Sequence, residues 1–571
     1  MKKTLNQIIE TDCVVIGAGS AGCTAALELA DLGYKVQLFT KGGSFEDSNS
    51  YLIAGGLAAV PIVRGNPLKG DSFESHIENT LKAGAGLNDV NIVKYCIEHF
   101  YPDVIEWLIE KGVEFDKSNS KFEYDLHKEG GHSTNRIFHN SDATGVAIMQ
   151  ILNELVEAHP NITLNKKHMA IDLITKNWMD EVIKDENTCL GCYVYDIEND
   201  YVKTVQAKGV FVATGGLGKV FLYTSNPDIA TGDGFAICYR AGLPLANMEF
   251  IQFHPTVFYD PSVANQFGRR VLFTEALRGA GGFLKLSKDA KEDFVLKYDP
   301  KLGSNSSRDV VSRAEDIEMR KNGLEYIWLD CTKIGEGKLR KEFSTFYNFC
   351  IGKGIDPAKE SIPVVYAVHY SNGGVLTGSH GETLYDDGSG LENCYVIGET
   401  AYTGLHGATR LASNSGPEAV LFGRLAAKHF NRNYNGAYEG IKVPLWNTDQ
   451  ATESRDRTLV NLYWEIIRKS MTQLCGISRH NSRLKGAKEM LGSLQEQVNQ
   501  YYWNYFVDKD SLEVRNILDI SNIIVDSTLL RQETRACHAR EDFTELSDIY
   551  NGWTIVQKDR EPYLLELKQR K

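Results

Sequence analysis

Titratable side chains are dense in one glycine-broken stretch, residues 128–145 (KEGGHSTNRIFHNSDATG). A segment this polar is poor material for a hydrophobic core, and polar loops on a rigid scaffold often carry binding or catalytic groups. We therefore predict a functional loop, whose titratable groups are Glu129, His132, Arg136, His139 and Asp142. His132 and His139 are interpreted as structural, and Asp142 as a possible cap of the helix that follows.

A second set of chemically active side chains is basic and lies in polar surroundings further along the chain: His254, Arg270, Arg278, Arg308 and Arg313. The formal charge of the whole chain is −13. This excess of acid argues against nucleic acid or an anionic membrane as a partner. It leaves room for a local basic pocket that binds a small anionic substrate.

A glycine-rich turn near the start of the chain predicts a phosphate-binding site. The turn follows a short apolar strand (Cys13–Ile16) and precedes an Ala/Leu-rich helix that ends at Gly33. Gly17 permits the tight turn, Gly19 lets the backbone approach a pyrophosphate, and Gly22 lets the helix pack on the strand. The free N–H groups of the helix then face the phosphates. The candidate cofactor-binding residues here are Gly17, Ala18, Gly19, Ser20, Ala21 and Gly22.

The second predicted strand, Lys35–Phe39, narrows the choice of dinucleotide. A generic dinucleotide fold places an acidic residue after this strand to bind the ribose hydroxyls. Here Thr40 and Lys41 follow instead. This difference argues against NAD as the cofactor and favours a flavin, which hydroxyl and backbone groups would bind. Lys41 is a further candidate contact with the cofactor.

Four more stretches could line the same cofactor. Residues 48–60, with Gly55 and Gly56, are either a buried loop against the flavin or a core strand with a bulge. An apolar strand runs into Ala213-Thr214-Gly215-Gly216, which brings bare backbone to the cofactor. Asp233 begins a helix, and residues 404–415 form a second backbone cradle.

The rest of the sequence predicts the helices and strands that position the candidate site residues. Residues 71–112 are predicted to be helical, with Pro102 opening a second helix there. Residues 194–212 form a hairpin, and from about residue 436 the apolar spacing indicates helices. The pair Cys189 and Cys192 is interpreted as structural, because no second pair or histidine lies at metal-ligand spacing. We therefore expect no metal site.

Cysteine usage and the N-terminus bear on location. The eleven cysteines are scattered and odd in number, which suits reduced thiols in a cytoplasm. The stretch MKKTLNQIIETD lacks the apolar segment of a secretory signal. No apolar run approaches the length of a membrane span. We expect a cytoplasmic protein.

With these pieces assembled, nearly the whole chain resembles the flavoprotein family of succinate dehydrogenase, fumarate reductase and L-aspartate oxidase. The matching stretches, in order, are Gly17–Gly22, the Gly55-Gly56 loop, Glu129-Gly-Gly-His-Ser, Ala213-Thr-Gly-Gly, Gln252-Phe-His-Pro-Thr256, Thr274-Glu-Ala-Leu-Arg278-Gly, Ser307-Arg-Asp-Val-Val, His369-Tyr-Ser-Asn-Gly-Gly, Gly398-Glu399 and His406–Ser415.

The resemblance implies roles for individual residues. Arg308 matches the proton-transfer arginine of the family, and His254 is a further catalytic candidate. The matching carboxylate-binding and substrate positions are His254, Thr274, Glu275, His369 and Arg410. Non-covalent FAD is implied, with contacts from Lys41, Asn49, Ser50, Gly55, Gly56, Ala213, Thr214, Gly215, Asp233, Glu399, Ser415 and Gly416.

Two features are most similar to the L-aspartate oxidase branch of the family. Asn49 stands where succinate dehydrogenases usually attach FAD through a histidine. Glu129 matches a glutamate that faces a substrate amino group. One feature departs from the family: Ala280 replaces a glutamate of the Arg-Gly-Glu-Gly pattern, which implies an interrupted proton relay.

The implied activity is oxidation of L-aspartate to iminoaspartate, with electrons passed to dioxygen or fumarate. It would be the first step of NAD synthesis through quinolinate, with quinolinate synthase as functional partner. One alternative is a soluble fumarate reductase or the flavoprotein subunit of a membrane-bound complex, a branch that the tail at residues 534–542 resembles at least as much. Another is a flavin-binding structural or assembly protein that has lost catalysis.

The implied fold class is α/β plus α, with a Rossmann-like FAD-binding domain in two segments. We predict its first segment at residues 1–246 and its second at 363–433. An inserted α+β capping domain is expected at 247–362 and a C-terminal helical domain at 434–571. The capping domain would close over substrate and exclude water.

Overall fold

The computed structural model describes residues 8–119, 122–181, 187–260, 270–434, 436, 440–448, 451–452 and 456–567. Residues 1–7, on which much of the signal-peptide interpretation depends, lie outside this part of the chain. Among the described helices, none combines the length and the apolar character needed to cross a membrane.

A mostly parallel sheet forms the centre of the molecule. Its main path runs, strand by strand, through Leu391–Glu392, Asn187–Asp196, Tyr201–Val212, Ile8–Ile16, Val36–Thr40 and Ile162–Lys166. Cys394–Val396 pairs with Tyr201–Val212, and His168–Thr175 pairs with Asn187–Asp196. The predicted hairpin is present, as antiparallel pairing of Asn187–Asp196 with Tyr201–Val212.

The first strand explains why its sequence is continuously apolar. Val14 and Ile16 pack into one hydrophobic cluster, and Cys13 and Val15 into another on the opposite face. Successive side chains of a strand point to opposite faces, and a parallel sheet is covered on both. The helix Ser20–Asp31, called here the fingerprint helix, follows directly and is buried along most of its length.

Residues 73–110 are helical, but Pro102 does not open a helix as predicted. The chain forms Phe73–Ala83 and Val90–His99, then widens into a π-turn at Phe100–Ile105, and continues as Glu106–Glu110. Proline lacks the N–H that a regular α-turn would use at that position. A wider turn accommodates it without ending the helical segment.

An antiparallel sheet of four strands carries the predicted capping domain. The strands are, in spatial order, Ile251–Phe258, Ile362–Ser371, Ile327–Asp330 and Phe283–Lys285. Helix Arg308–Asn322 lies against this sheet. Strand Ile362–Ser371 crosses the predicted boundary at residues 362–363, so the domain limits stay a prediction.

The C-terminal region consists of three long helices and a returning strand pair. The helices are Arg457–Leu474, Asn481–Asn504 and Lys509–Leu530. The strand pair was not anticipated, and it completes a sheet with strands from both segments of the predicted FAD-binding domain. That sheet runs, in order, through Ala401–Tyr402, Gly374–Leu376, Leu245–Ala246, Gly552–Val556 and Tyr563–Glu566.

A buried ion cluster links the C-terminal region to the rest of the protein. Arg531 Nε lies 2.5 Å from Glu249, and its Nη1 lies 2.8 Å from Glu533. All three side chains are fully buried. Removing one partner of such a cluster leaves an uncompensated buried charge, so the cluster holds the region in one position.

Shorter elements complete the fold. Three short strands pair at the edge of the 128–145 loop: Leu57–Ala58, Ile137–Phe138 and Leu126–His127. Two further strand pairs are Ile62–Val63 with Asn66–Pro67 and Ser478–Arg479 with Ala539–Arg540. The other helices are Thr144–Ala158, Lys176–Asp180, Asp233–Arg240, Ala276–Gly279, Glu336–Glu342, Ser344–Gly352 and Ser415–Asn433.

Candidate active site

A cavity of about 1110 Å³ lies between the central sheet and the sheet of the predicted capping domain. Every residue predicted for the cofactor, the substrate or catalysis lines it, with the exception of Gly22. Gly22 lies inside the fingerprint helix, where a Cβ would stand 1.8 Å from the Gly17 carbonyl oxygen. Its place matches the packing role inferred from the sequence.

The fingerprint turn leaves backbone open to the cavity. Gly19, the N-cap residue of the fingerprint helix, has no side chain that could cap it. Ser50 Oγ accepts from the Ser20 N–H at 3.0 Å, and a Cβ on Gly19 would lie 3.2 Å from this hydroxyl. The open helix N-terminus and the bare glycine backbone fit a pyrophosphate, so the observed donors suit FAD.

Lys41 and Asp233 lie at one end of the cavity and bind each other. Lys41 Nζ is 2.7 Å from Asp233 and 2.8 Å from Glu513, and it also donates to Thr231 Oγ1. Burial lowers the pKa of Lys41, but the two carboxylates outweigh this and leave its pKa raised. Lys41 is therefore a charged side chain that links Asp233 to Glu513. Its contact with the cofactor stays a prediction.

Asn49 and Glu399 meet on the other wall. Asn49 Nδ2 donates to Glu399 Oε2 at 3.3 Å, and the Ser371 N–H donates to Glu399 Oε1 at 3.1 Å. Burial raises the pKa of Glu399 to about 7. A carboxyl group with this pKa is partly protonated near neutrality, so it can donate as well as accept a hydrogen bond.

Two neutral histidines face each other, with ring centroids 5.9 Å apart. Burial, and then nearby Arg308, holds the pKa of His254 well below its usual range. Burial, and then Arg410, does the same to His369. His254 Nδ1 accepts from the Thr256 N–H at 3.3 Å, so its proton is on Nε2, which has no partner among the described residues.

Arg410 supplies a positive charge beside these rings. Its guanidinium donates to Gln252 Oε1 at 3.2 Å and to Ser415 Oγ at 3.3 Å, and it stacks 4.6 Å from the Tyr370 ring centroid. Its Nε is buried and unpartnered within the described residues. Burial lowers its pKa. A buried guanidinium with an open donor fits a carboxylate.

An acidic side chain lies between Arg308 and Arg278. Arg308 Nε donates to Glu275, and Glu275 also lies 3.7 Å from Arg278. Glu275 therefore links the two arginines, and the interruption of the proton relay at Ala280 stays a prediction. Arg308 begins helix Arg308–Asn322, so its backbone is held by a regular element.

Glu129 lies in the cavity and accepts from Ser413 Oγ at 2.5 Å. Burial raises its pKa, but hydrogen bonds from His127 and Ser413 outweigh this and leave its pKa lowered. The side chain is therefore a carboxylate at neutral pH. A Cβ on Gly55 would lie 1.9 Å from Glu129 Oε1, so the glycine of the paired-glycine loop makes room for it.

The other titratable groups of the 128–145 loop are structural. Arg136 is buried and binds Asp71, and His132 Nε2 lies 2.8 Å from the Ala412 carbonyl oxygen. His139 lies 3.1 Å from Asp116. Asp142 does not cap the following helix as predicted. Its carboxylate instead accepts from Thr345 Oγ1 at 2.6 Å, across to the predicted capping domain.

Three residues that orient the site escaped the sequence analysis. Ser225 Oγ lies 2.9 Å from His369 Nδ1, while Gln252 holds Arg410 and Ser413 holds Glu129. Gln252 and Ser413 stand inside motifs that were singled out, so their neighbours offered a signal. No feature of the sequence points to Ser225, because its contact spans many intervening residues.

Comparison with known proteins defines the class first. The model of the FAD binding domain matches residues 12–415, and the fumarate reductase flavoprotein C-terminal model matches residues 465–570. A chain of E. coli quinol fumarate reductase superposes with a TM-score of 0.83 at 26% identity, covering 98% of this chain and 97% of that one. This protein is an FAD-binding flavoprotein of the succinate dehydrogenase and fumarate reductase class, which confirms the predicted fold class and cofactor.

Comparison by sequence narrows the family. An L-aspartate oxidase of Ralstonia nicotianae is 41% identical, over 94% of this chain and 96% of that protein. An L-aspartate oxidase of Vibrio cholerae is 39% identical over the same shares of the two chains. A chloroplastic L-aspartate oxidase of Nicotiana tabacum is 36% identical over 95% and 83%. The chain belongs to the L-aspartate oxidases.

Proposed function

We propose that this chain oxidises L-aspartate to iminoaspartate with FAD and passes the electrons to dioxygen or fumarate. The observation that carries the proposal is the charge pattern of the cavity. Glu129 offers one carboxylate to an ammonium group, and Arg410 and Arg308 offer cations to carboxylates. A four-carbon amino dicarboxylate requires this combination, because burying an unpaired charge is prohibitive.

Different residues of the cavity bind different groups of the substrate. Arg410, His254, His369 and Thr274 face the two carboxylates, with the neutral histidines donating hydrogen bonds. Glu129 pairs with the ammonium, which releases a proton as the imine forms. Glu275 and Arg278 connect Arg308 to a proton route, since a lone guanidinium is a poor base. Bound FAD supplies the acceptor for the hydride that leaves the substrate.

The site also supports specific cofactor contacts. The fingerprint residues 17–22 would hold the pyrophosphate, and Glu399, Ser415 and Gly416 would close the cofactor from the other side. Asn49 stands at the position of a covalent tether in some relatives, so we propose that FAD is held without a covalent bond. Acid precipitation of the holoenzyme should release all of the flavin, and flavin retained in the pellet would contradict this.

Anaerobic reduction tests the activity. Addition of L-aspartate to the purified holoenzyme should bleach the flavin absorbance, and succinate should do so far more slowly. Bleaching by succinate but not by L-aspartate would replace this proposal with a dicarboxylate dehydrogenase. Bleaching by neither would indicate a flavoprotein without this catalysis.

The role of Glu129 is tested by Glu129→Gln. The substitution keeps the shape and the Ser413 contact but removes the charge that pairs with the ammonium. We expect the KM for L-aspartate to rise at least 10-fold, since a desolvated charge pair is strong, while fumarate reduction changes little. Exposed Glu123→Gln is the matched control. An equal loss in both reactions would refute the ammonium role.

The proposed activity also implies a cellular location and a functional partner. We propose a cytoplasmic enzyme that opens NAD synthesis and whose product is used by quinolinate synthase. All eleven cysteines are buried free thiols, which supports a reducing compartment. Coupled production of quinolinate on mixing with quinolinate synthase and L-aspartate tests the partnership.

A further inference from the structure

Three metal-ligating side chains meet outside the cavity. His380 and Glu382 lie in the turn that follows strand Gly374–Leu376, and His429 lies near the end of helix Ser415–Asn433. One ligand atom from each residue lies within 4.8 Å of those of the other two, and all three residues are half-buried. None of them lines the active-site cavity.

The two imidazole rings stack with centroids 4.8 Å apart and an interplanar angle of 27°. His429 Nδ1 lies 2.9 Å from the Tyr395 hydroxyl, and His380 Nδ1 lies 2.9 Å from Ser379 Oγ. A metal-binding histidine usually gives its second ring nitrogen to such an oxygen, which orients the ring and exposes the other lone pair. His429 can thus offer Nε2, whereas in His380 it is Nδ1 that lies 3.9 Å from Glu382 Oε1.

Local backbone holds the carboxylate of Glu382 beside the rings. The His380 N–H donates to Glu382 Oε2 at 2.8 Å, and the Gly378 N–H donates to the Glu382 carbonyl at 2.8 Å. A Cβ on Gly378 would stand 2.2 Å from Glu382 Oε1. The glycine thus leaves the space that the carboxylate occupies.

We propose that His380, Glu382 and His429 bind one divalent transition-metal ion, with zinc as the best fit. Two imidazoles and a carboxylate suit zinc better than magnesium or calcium, which prefer oxygen ligands. Tetrahedral zinc with bonds of about 2.0–2.1 Å places its ligands about 3.3 Å apart. The three ligand atoms lie within 4.8 Å of one another, so they must move closer together to bind the ion, and water would complete the shell.

The ion would join the turn at residues 377–383 to the end of helix Ser415–Asn433. That helix begins with Ser415 and Gly416, which line the cofactor cavity. A ligand that binds only the folded state stabilises it, and the stabilisation grows with the logarithm of the ligand concentration above its Kd. The site is therefore a structural clamp on the FAD-binding half, and it takes no part in the reaction.

The test uses tag-free holoenzyme, stripped with a chelator and equilibrated with zinc chloride. We expect one zinc ion per chain by equilibrium dialysis and a Tm that rises with zinc concentration. His429→Asn and Glu382→Gln should each remove this binding. Tyr395→Phe should weaken it about 10-fold, because it removes only the supporting oxygen. The control His480→Asn changes a histidine outside the cluster and should bind as the parent does.

The flavin content of each variant shows whether the variant is folded. If His429→Asn does not fold, Glu382→Gln provides the test of zinc binding. Less than one zinc ion per chain in the parent, or variants that bind zinc as the parent does, would overturn the proposal. Oxidation of L-aspartate should be the same in cluster variants and parent. A failed metal site therefore leaves the proposed function untouched.

Discussion

At the scale of single residues, burial decides which groups in the cavity carry charge. His254 and His369 stay neutral because burial and neighbouring arginines lower their pKa values. The positive charge beside the histidines therefore comes from Arg308 and Arg410, and the histidines contribute hydrogen bonds. Glu129 keeps its negative charge because hydrogen bonds offset its burial.

Glu275 is the residue on which proton movement should depend. Glu275→Gln keeps the size of the side chain but removes the charge between Arg308 and Arg278. We expect kcat for fumarate reduction to fall roughly 100-fold or more, the usual share of acid–base catalysis, with a smaller change in KM. Steady-state kinetics decide this, and a variant with an unchanged kcat would exclude a relay through Glu275.

Glu399 should make the stability of the FAD-free protein fall with rising pH. Its pKa is about 7 in the folded chain, against about 4.3 for an unperturbed glutamate. The folded state therefore holds the proton more tightly, and stability is lost as pH rises between these values, by about 4 kcal/mol at most.

Glu399→Gln removes this loss. The Tm of the variant should exceed that of the parent apoprotein at pH 8 and approach it at pH 4.5. Thermal melting of both apoproteins across this range measures the difference. A difference that does not vary with pH would show that the carboxyl group is not buried in this way.

At the scale of elements, close backbone contacts hold the fingerprint helix on the first strand. Gly22→Ala would force a methyl group into the Gly17 carbonyl oxygen, 1.8 Å away. We expect the helix to shift and the Kd for FAD to rise at least 10-fold, measured by flavin fluorescence. Gly337→Ala, in helix Glu336–Glu342 with nothing within 4 Å of its Cβ, is the control and should bind FAD normally.

At the scale of the whole molecule, Asp142 and Thr345 join the 128–145 loop to the predicted capping domain across the cavity mouth. Asp142→Ala or Thr345→Val removes this single hydrogen bond. We expect the KM for L-aspartate to rise about 2- to 10-fold, the worth of one such bond, with FAD content unchanged. The double variant should have the same KM as either single variant, because both single substitutions remove the same hydrogen bond. Additive effects on KM would exclude a direct coupling between Asp142 and Thr345.

Much of the site follows from local sequence. The fingerprint glycines, the apolar strand Cys13–Ile16 and the hairpin at residues 194–212 depend on neighbours in the chain, so periodicity and glycine spacing predict them. His254, Arg308 and Arg410 were found differently, through the resemblance of their motifs to a known flavoprotein family, and all three line the cavity. Pro102 shows the limit of local rules, since the packing around it keeps the segment helical through a π-turn.

The sequence by itself determined the cofactor class and the residue types that line the cavity. Only the tertiary structure decided their partners: Ser413 on Glu129, Asn49 on Glu399, Glu275 between two arginines, and Asp142 on Thr345. The same holds for His429 beside His380 and Glu382. Such contacts join residues far apart in the chain, and they depend on how sheets and helices pack, which no local pattern records.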